Sequence, residues 1–297
     1  MKYDFLDNDL LSRLGSLPIE TRVPMMGNVA GKHRSPHRGS SVEFAEYRKY
    51  VSGDDTRRLD WKAYARSDRY YIKEFEADTN LRAYFVVDAS GSMKFTGGAE
   101  PKIQYARKIA ASLAYLLVNQ GDAAGLSVCT DKLHLEVPPS RRPAHLERLF
   151  HTLASLEPSG ETGLVEALHS IAEKISQRAF VVILSDLFTD SAALGDALQH
   201  LRYRKHDISV FHLMDPLEIG FNFDSPRRFV DLEDGTALVA EPNLIADEYQ
   251  TALRDFLTAV RAKCHDANAD YQLVTTDTPV EPLLREFLTA RIVRSKH

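Results

Sequence analysis

Residues 83–93, Ala83-Tyr-Phe-Val-Val-Asp88-Ala-Ser90-Gly-Ser92-Met93, join a continuous apolar run directly to an acid and two spaced hydroxyls. A short apolar run that stops at turn residues is the pattern of a strand covered on both faces, as strands of parallel sheets are. Such a strand delivers Asp88, Ser90 and Ser92 into the loop beyond its carboxyl end, where open α/β sheets keep their ligand sites. All three side chains are hard oxygen donors, with neither His nor Cys among them. That donor set suits Mg2+, with Mn2+ or Ca2+ as alternatives, rather than zinc.

The rest of the chain supplies the sheet this strand needs. Phe180-Val-Val-Ile-Leu184 is a second buried-strand run and also ends in an acid, at Ser185-Asp186. Further strands are expected at Ala123–Thr130, Leu133–Val137, Ile208–Leu213 and Tyr271–Thr275. Helices are expected from Pro101 to the stop at Gly121, from Pro143, after Gly163, from Ser191 to Arg204, over 244–266 and over 283–292. Strands alternating with helices predict an α/β fold with a doubly wound, mostly parallel sheet and helices on both faces. The tight link at Asp131-Lys132 makes Leu133–Val137 an antiparallel edge strand. Asp234-Gly235 marks the turn of a hairpin over 227–240, a pair suited to positive φ. Gly97-Gly98 reads as a flexible lead into the helix at Pro101. The expected division is an N-terminal segment, 1–80, packing on a main domain, 81–297.

Residues 4–17 read as a short amphipathic helix ended by Pro18, and 27–41, rich in Gly, Pro and charge, as a mobile loop. Residues 22–73 carry 12 Lys and Arg against 6 Asp and Glu in a chain whose formal net charge is −5. Interleaved with aromatics such as Trp61, Tyr64 and Tyr70, this stretch could serve single-stranded nucleic acid, which would show as steep salt dependence. The acids Asp54, Asp55, Asp60 and Asp68 lie among Arg48, Arg57, Arg58 and Arg66, and favour local ion pairing with no nucleic-acid partner. The 297 residues are 44% hydrophobic and 27% charged, ordinary for a globular chain. The two cysteines, Cys129 and Cys264, have no partner at metal-ligand spacing and read as reduced packing residues. The amino terminus lacks a signal-peptide pattern, and the longest apolar run, Ile109 to Val118, is far short of the ~20 residues of a membrane span. The expectation is a cytoplasmic protein without a membrane span.

An acid and two hydroxyls at a strand end can also be a simple helix cap. Two distant residues argue for more. Thr162 lies in the loop Pro158-Ser-Gly160-Glu-Thr162-Gly163 just before a helix, and Asp186 ends a buried strand. If the strands are parallel neighbours, both share a rim with Asp88. At this point the chain resembles the von Willebrand factor A fold and its metal-ion-dependent adhesion site, built from an Asp-x-Ser-x-Ser loop, a distant Thr and a distant Asp. Asp88, Ser90, Ser92, Thr162 and Asp186 match those positions. The resemblance implies a bound Mg2+, hydroxyls that ligate it directly, acids that act largely through water, and an open position for a carboxylate supplied by a partner protein.

The run Gly53-Asp54-Asp55-Thr-Arg57-Arg58-Leu-Asp60-Trp61-Lys-Ala-Tyr-Ala-Arg66, then Tyr71-Ile-Lys-Glu-Phe75-Glu76, His212-Leu-Met-Asp215-Pro216 and the Asp-Gly hairpin, is similar to the bacterial family called domain of unknown function 58. That resemblance implies a non-enzymatic module acting with a MoxR-type AAA+ ATPase in chaperone-like complex assembly. The alternative is a metal-dependent hydrolase, which would need a general base beside the ion. The candidate bases His134, His145, His151, His169, His200 and His212 fall in expected helices and strands with no motif tying them to the metal loop. No phosphate-binding Gly-rich loop is present.

Overall fold

The computed structural model describes residues 3–22, 43–49, 61, 64, 66, 69–76, 81–98, 100–131, 133–223, 225–233 and 235–294. The loop expected over 27–41 and most of the ion pairs expected between Arg48 and Asp68 lie outside the described residues, as do Lys132 and Asp234 of the two expected turns. Backbone contacts divide the chain into two units, Met1–Val23 with Arg82–His297, and Pro24–Leu81. The first helix therefore goes with the larger unit rather than with the rest of 1–80. Helix α1 (Asn8–Leu14) is shorter than the 4–17 expected and starts where the Asp7 carboxylate accepts the Asp9 amide at 2.8 Å. Its buried face is Leu10, Leu11 and Leu14, and Arg13 pairs with Glu281 at 2.9 Å. The Gln120 side chain then clamps the following strand of chain, accepting from Ile19 N and donating to Leu17 O.

The smaller unit contains an antiparallel pair, β1 (Glu43–Lys49) and β2 (Tyr71–Glu76), with a register shift between Phe44 and Glu46. Tyr64 stacks on Tyr70 at 4.6 Å between ring centroids and meets the exposed Trp61 edge-on at 6.3 Å.

In the larger unit the chain runs β3 (Arg82–Asp88), α2 (Lys102–Asn119), β4 (Ala123–Cys129), β5 (Leu133–Ser140), α3 (Pro143–Ala154), α4 (Leu164–Lys174), β6 (Phe180–Ser185), α5 (Ser191–Tyr203) and β7 (Asp207–Met214). It continues through α6 (Pro216–Gly220), β8 (Arg227–Val230), β9 (Ala237–Ala240), α7 (Pro242–Asp266), β10 (Asp270–Thr275) and α8 (Val280–Arg294). Six strands form one sheet in the order β10-β7-β6-β3-β4-β5, parallel except for the antiparallel edge strand β5. This is the doubly wound, mostly parallel α/β sheet expected from the sequence.

Alternation along the strands separates two covered faces. Val86, Val181, Ile183, Ile208 and Val210 pack with Leu168 of α4, Leu198 of α5, and Val260 and Cys264 of α7. On the other face, Phe211 meets Phe287 of α8 at 5.0 Å, and the Arg291 guanidinium lies 4.3 Å above the Phe180 ring. Strands β3, β6 and β7 are almost wholly buried, so each large apolar side chain contributes about 1.5–3 kcal/mol by leaving water. Both cysteines are free and buried.

The chain leaves β3 toward β4 on one side, and β6 pairs on the other side of β3. The carboxyl ends of β3 and β6 therefore flank a topological switch point, the place where an open α/β sheet forms a crevice. Asp88 and Ser185-Asp186 end those two strands.

Candidate metal centre

The Asp88 carboxylate organises the crevice. Its Oδ1 accepts the Ser90 backbone amide at 2.9 Å, which folds the loop back on the strand end. Its Oδ2 accepts two hydroxyls, Ser185 at 2.7 Å and Thr162 at 3.2 Å. Ser90 Oγ and Ser92 Oγ stand 3.1 Å apart. Backbone bonds pin the loops to one another: Ala89 N donates to Cys129 O at 2.7 Å, Gly91 N to Gly160 O at 2.8 Å, and Gly163 N to Thr130 O. Thr162, 74 residues beyond Asp88, is in this way delivered to the same carboxylate.

Asp186 lies close enough to Asp88 for their charges to interact. Burial first, and the neighbouring Asp186 charge second, raise the Asp88 carboxyl to about 6, against hydrogen bonds from Ser185 and Ser90 that lower it. The turn after β6 is strained, with Leu187 at φ 56°, a left-handed conformation that costs a bulky residue about 1–3 kcal/mol. The Ser185 hydroxyl compensates by accepting the Leu187 amide at 2.9 Å while donating to Asp88.

Three charged participants, Lys102, Glu218 and Glu233, were not evident from the sequence. Lys102, fully buried at the start of α2, places its Nζ 2.7 Å from Asp186 Oδ2 and 2.7 Å from Glu218 Oε1. Phe188 and Phe95 lie beneath the ammonium, with centroids 5.1 and 5.7 Å away. Burial pulls the Lys102 pKa down, but the charges of Asp186 and Glu218 outweigh it, so the group stays an ammonium. Glu218 is fixed in turn by a capping box in which Asp215 N donates to its Oε2 at 2.7 Å. The signal for Lys102 was its position four and seven residues before Ala106 and Ile109, on the apolar stripe of α2 where a charge must find a partner.

The third is Glu233, at the turn between β8 and β9. Burial raises its carboxyl, and hydrogen bonds from the Ser92 hydroxyl and the Thr162 backbone N–H pull it back down. The Gly97-Gly98 pair is also less free than expected. Gly97 N donates to Asp215 Oδ2 at 2.8 Å, and a Cβ there would lie 2.4 Å from Asp215 Oδ1, so Gly97 is a packed contact.

The oxygens present fit a small hard cation. Two adjacent ligands of an octahedral ion with bonds of about 2.1 Å stand roughly 3.0 Å apart, close to the Ser90–Ser92 separation. Glu233 Oε1 is sealed from solvent and meets no donor at hydrogen-bonding geometry. Asp186 and Glu218 share the Lys102 ammonium, and the Asp186 charge also acts on Asp88 and Glu233. No group of three or more His, Cys, Asp or Glu among the described residues is placed to share a metal, because hydroxyls supply much of this donor set.

Four of the candidate histidines are engaged elsewhere. His145 Nε2 sits 3.1 Å from Ala124 O, His169 Nδ1 3.0 Å from His200 Nδ1, and His212 Nδ1 2.8 Å from Tyr271 Oη. His212 approaches Asp186 from behind but is fully buried, and burial first of all lowers its pKa to about 4.

Among solved structures, the chain is similar to the conserved hypothetical protein BatB from Bacteroides thetaiotaomicron, at 13% identity and a TM-score of 0.50, over 72% of this chain and 99% of that one. The VWA domain of SpRpn10 matches at 12% identity and a TM-score of 0.39, over 68% of this chain and 92% of that one. The BatB likeness goes with the mostly parallel, doubly wound α/β sheet described above. No helix among the described residues is long and apolar enough to cross a membrane. By sequence, the chain is 27% identical over 222 residues to the uncharacterized protein Rv1480 of Mycobacterium tuberculosis H37Rv, covering 74% of this chain and 69% of the relative. Mb1516 of Mycobacterium bovis matches equally. The model of the protein family of unknown function DUF58 matches residues 46–259, and with most of its length so matched this chain belongs to that family.

Proposed function

We propose that this chain is a non-enzymatic, Mg2+-dependent protein-docking module of the cytoplasm. The observation that carries the proposal is the division of labour around Asp88. Both of its oxygens are occupied in holding Ser90 N, Ser185 and Thr162, so it positions donors more than it offers a free lone pair. Ser90 and Ser92 present their hydroxyl oxygens side by side, and Thr162, whose proton points to Asp88, keeps its lone pairs outward. Ser90, Ser92 and Thr162 would hold the ion directly, with Asp88 and Asp186 behind them. Bound there by largely neutral donors, Mg2+ supplies an electrophilic centre that favours one further anionic oxygen. A carboxylate from a partner protein provides it.

Lys102 anchors the Asp186 carboxylate through its bond of 2.7 Å to Oδ2. The histidines named above bond groups away from the Asp88 loop, which favours docking over hydrolysis. The family resemblance points to a MoxR-type AAA+ ATPase, or the complex it remodels, as the source of the carboxylate.

The test is capture from native lysate by the wild-type protein and Asp88→Ala, each in Mg2+ and in EDTA. The proposal expects an AAA+ ATPase or its client on the wild type in Mg2+ alone. Identical protein sets under all four conditions would overturn it.

A further inference from the structure

The turn between β8 and β9 lies directly on the Asp88 loop. A Cβ at Gly91 would stand 2.0 Å from the Leu232 carbonyl oxygen, so only glycine admits this crossing. The next residue of the turn is Glu233. Its backbone amide is held by Asp231 Oδ1 at 2.7 Å and its Cα would stand 3.2 Å from a Cβ at Gly91; hydrogen bonding from the Ser92 hydroxyl and the Thr162 backbone amide lowers its carboxyl against burial. These belong to the two loops that carry the hydroxyl donors. Glu233 thereby brings its carboxylate within reach of the Asp186 charge, while Lys102 is turned to Asp186 and Glu218. Its sealed Oε1 lacks a donor. A sealed carboxylate oxygen without a donor is one that a bound cation satisfies.

We propose that Glu233 is a ligand supplied by the chain itself, occupying the position that a partner's carboxylate takes, so that the β8–β9 hairpin is a latch on the docking site. The inference rests on the metal-docking function proposed above and adds to it the class of partner: an acidic side chain at the tip of an exposed turn, competing with Glu233 for one coordination position.

The hairpin is built to move at its tip. Among the described residues strands β8 and β9 pair only with each other, and an isolated two-stranded ribbon is marginal in water. Leu238 and Val239 are 63% and 73% exposed, so little apolar burial holds the ribbon down. Its base is firmer. Phe221 stacks on Tyr249 at 4.2 Å and on Phe229 at 5.7 Å, and Phe223 meets Phe229 edge-on at 5.4 Å. Anchored at this cluster, the ribbon can swing Glu233 out without unfolding the sheet.

Amide hydrogen exchange over 227–240, in Mg2+ and in EDTA, tests the latch in the wild-type protein without any variant. Mg2+ is expected to slow exchange there tenfold or more, and Glu233→Gln to abolish the slowing and weaken Mg2+ binding by calorimetric titration about tenfold. Saturable Mg2+ binding with hairpin exchange indifferent to the ion would overturn the latch and leave the docking site standing. No saturable Mg2+ binding by the wild type would overturn both.

Discussion

Replacing Lys102 with Met tests how the crevice tolerates its own charge. The methylene stem and packing volume are nearly kept, but Asp186 and Glu218 each lose a charge-assisted bond of 2.7 Å. Such bonds are worth about 1.5–3 kcal/mol apiece, and breaking a buried pair by removing one partner costs about 3–5 kcal/mol because the remaining charge stays buried. Lys102→Met should therefore unfold about 3–5 kcal/mol more easily in urea with EDTA. At roughly 2–4 °C per kcal/mol for a unit of this size, its Tm should fall by about 6–20 °C. The raised Lys102 pKa gives the pH window: the stabilisation is complete below the ordinary value of 10.5 and fades only as pH rises above it. With the ammonium gone, Mg2+ should raise the Tm of the variant more than that of the wild type, since added cation relieves the same carboxylates. A loss below about 1 kcal/mol would refute the reasoning, since it would mean that Asp186 and Glu218 do not depend on Lys102.

Two further predictions concern the opposite end of the sheet. Arg291 of α8, fully buried, bonds Asp207, Asp270 at 2.6 Å, Ser209 at 3.0 Å and Glu20 O at 2.7 Å, so Arg291→Leu should cost about 3 kcal/mol or more in urea unfolding and free the Met1–Val23 segment to proteolysis. His206 accepts the Ala179 amide through Nδ1 at 3.2 Å, and burial first of all lowers its pKa from 6.5 to about 4. Between those values the unfolded chain binds the extra proton, so stability should fall with pH from 6.5 toward 4 by up to about 3 kcal/mol and be level above it; His206→Gln should flatten that slope in denaturant titrations across pH.

The parts of this protein that could be read from its sequence are those fixed by local pattern. Val86-Val87-Asp88 and Ile183-Leu184-Ser185-Asp186 announce buried strands with acids at their carboxyl ends, and the structure sets those ends side by side. Thr162 could be found because a hydroxyl in a Gly-flanked loop before a helix needs a reason, and its hydrogen bond to Asp88 supplies one. Lys102, Glu218 and Glu233 are different in kind. Their partners lie 84, 116 and 141 residues away along the chain from Lys102, Lys102 and Ser92 respectively, and nothing in local spacing joins a helix-start lysine to a strand-end acid. Glu233 read only as the flank of an Asp-Gly turn, since a turn sequence specifies that the chain reverses and not what lies beneath it. The β1–β2 pair was hidden for a related reason: charge and aromatics on both faces of Glu43–Lys49 and Tyr71–Glu76 blur the alternation that marks a half-buried strand.

The central claim is that the Asp88 crevice binds a divalent cation through hydroxyls. Isothermal titration of Mg2+ into the metal-stripped wild-type protein and into Ser90→Ala, both confirmed folded by circular dichroism, measures this directly. The account predicts one saturable site in the wild type and its loss, or a weakening of at least about tenfold, in the variant. A wild type that takes up no Mg2+, or a Ser90→Ala variant that binds it equally well, would contradict the account.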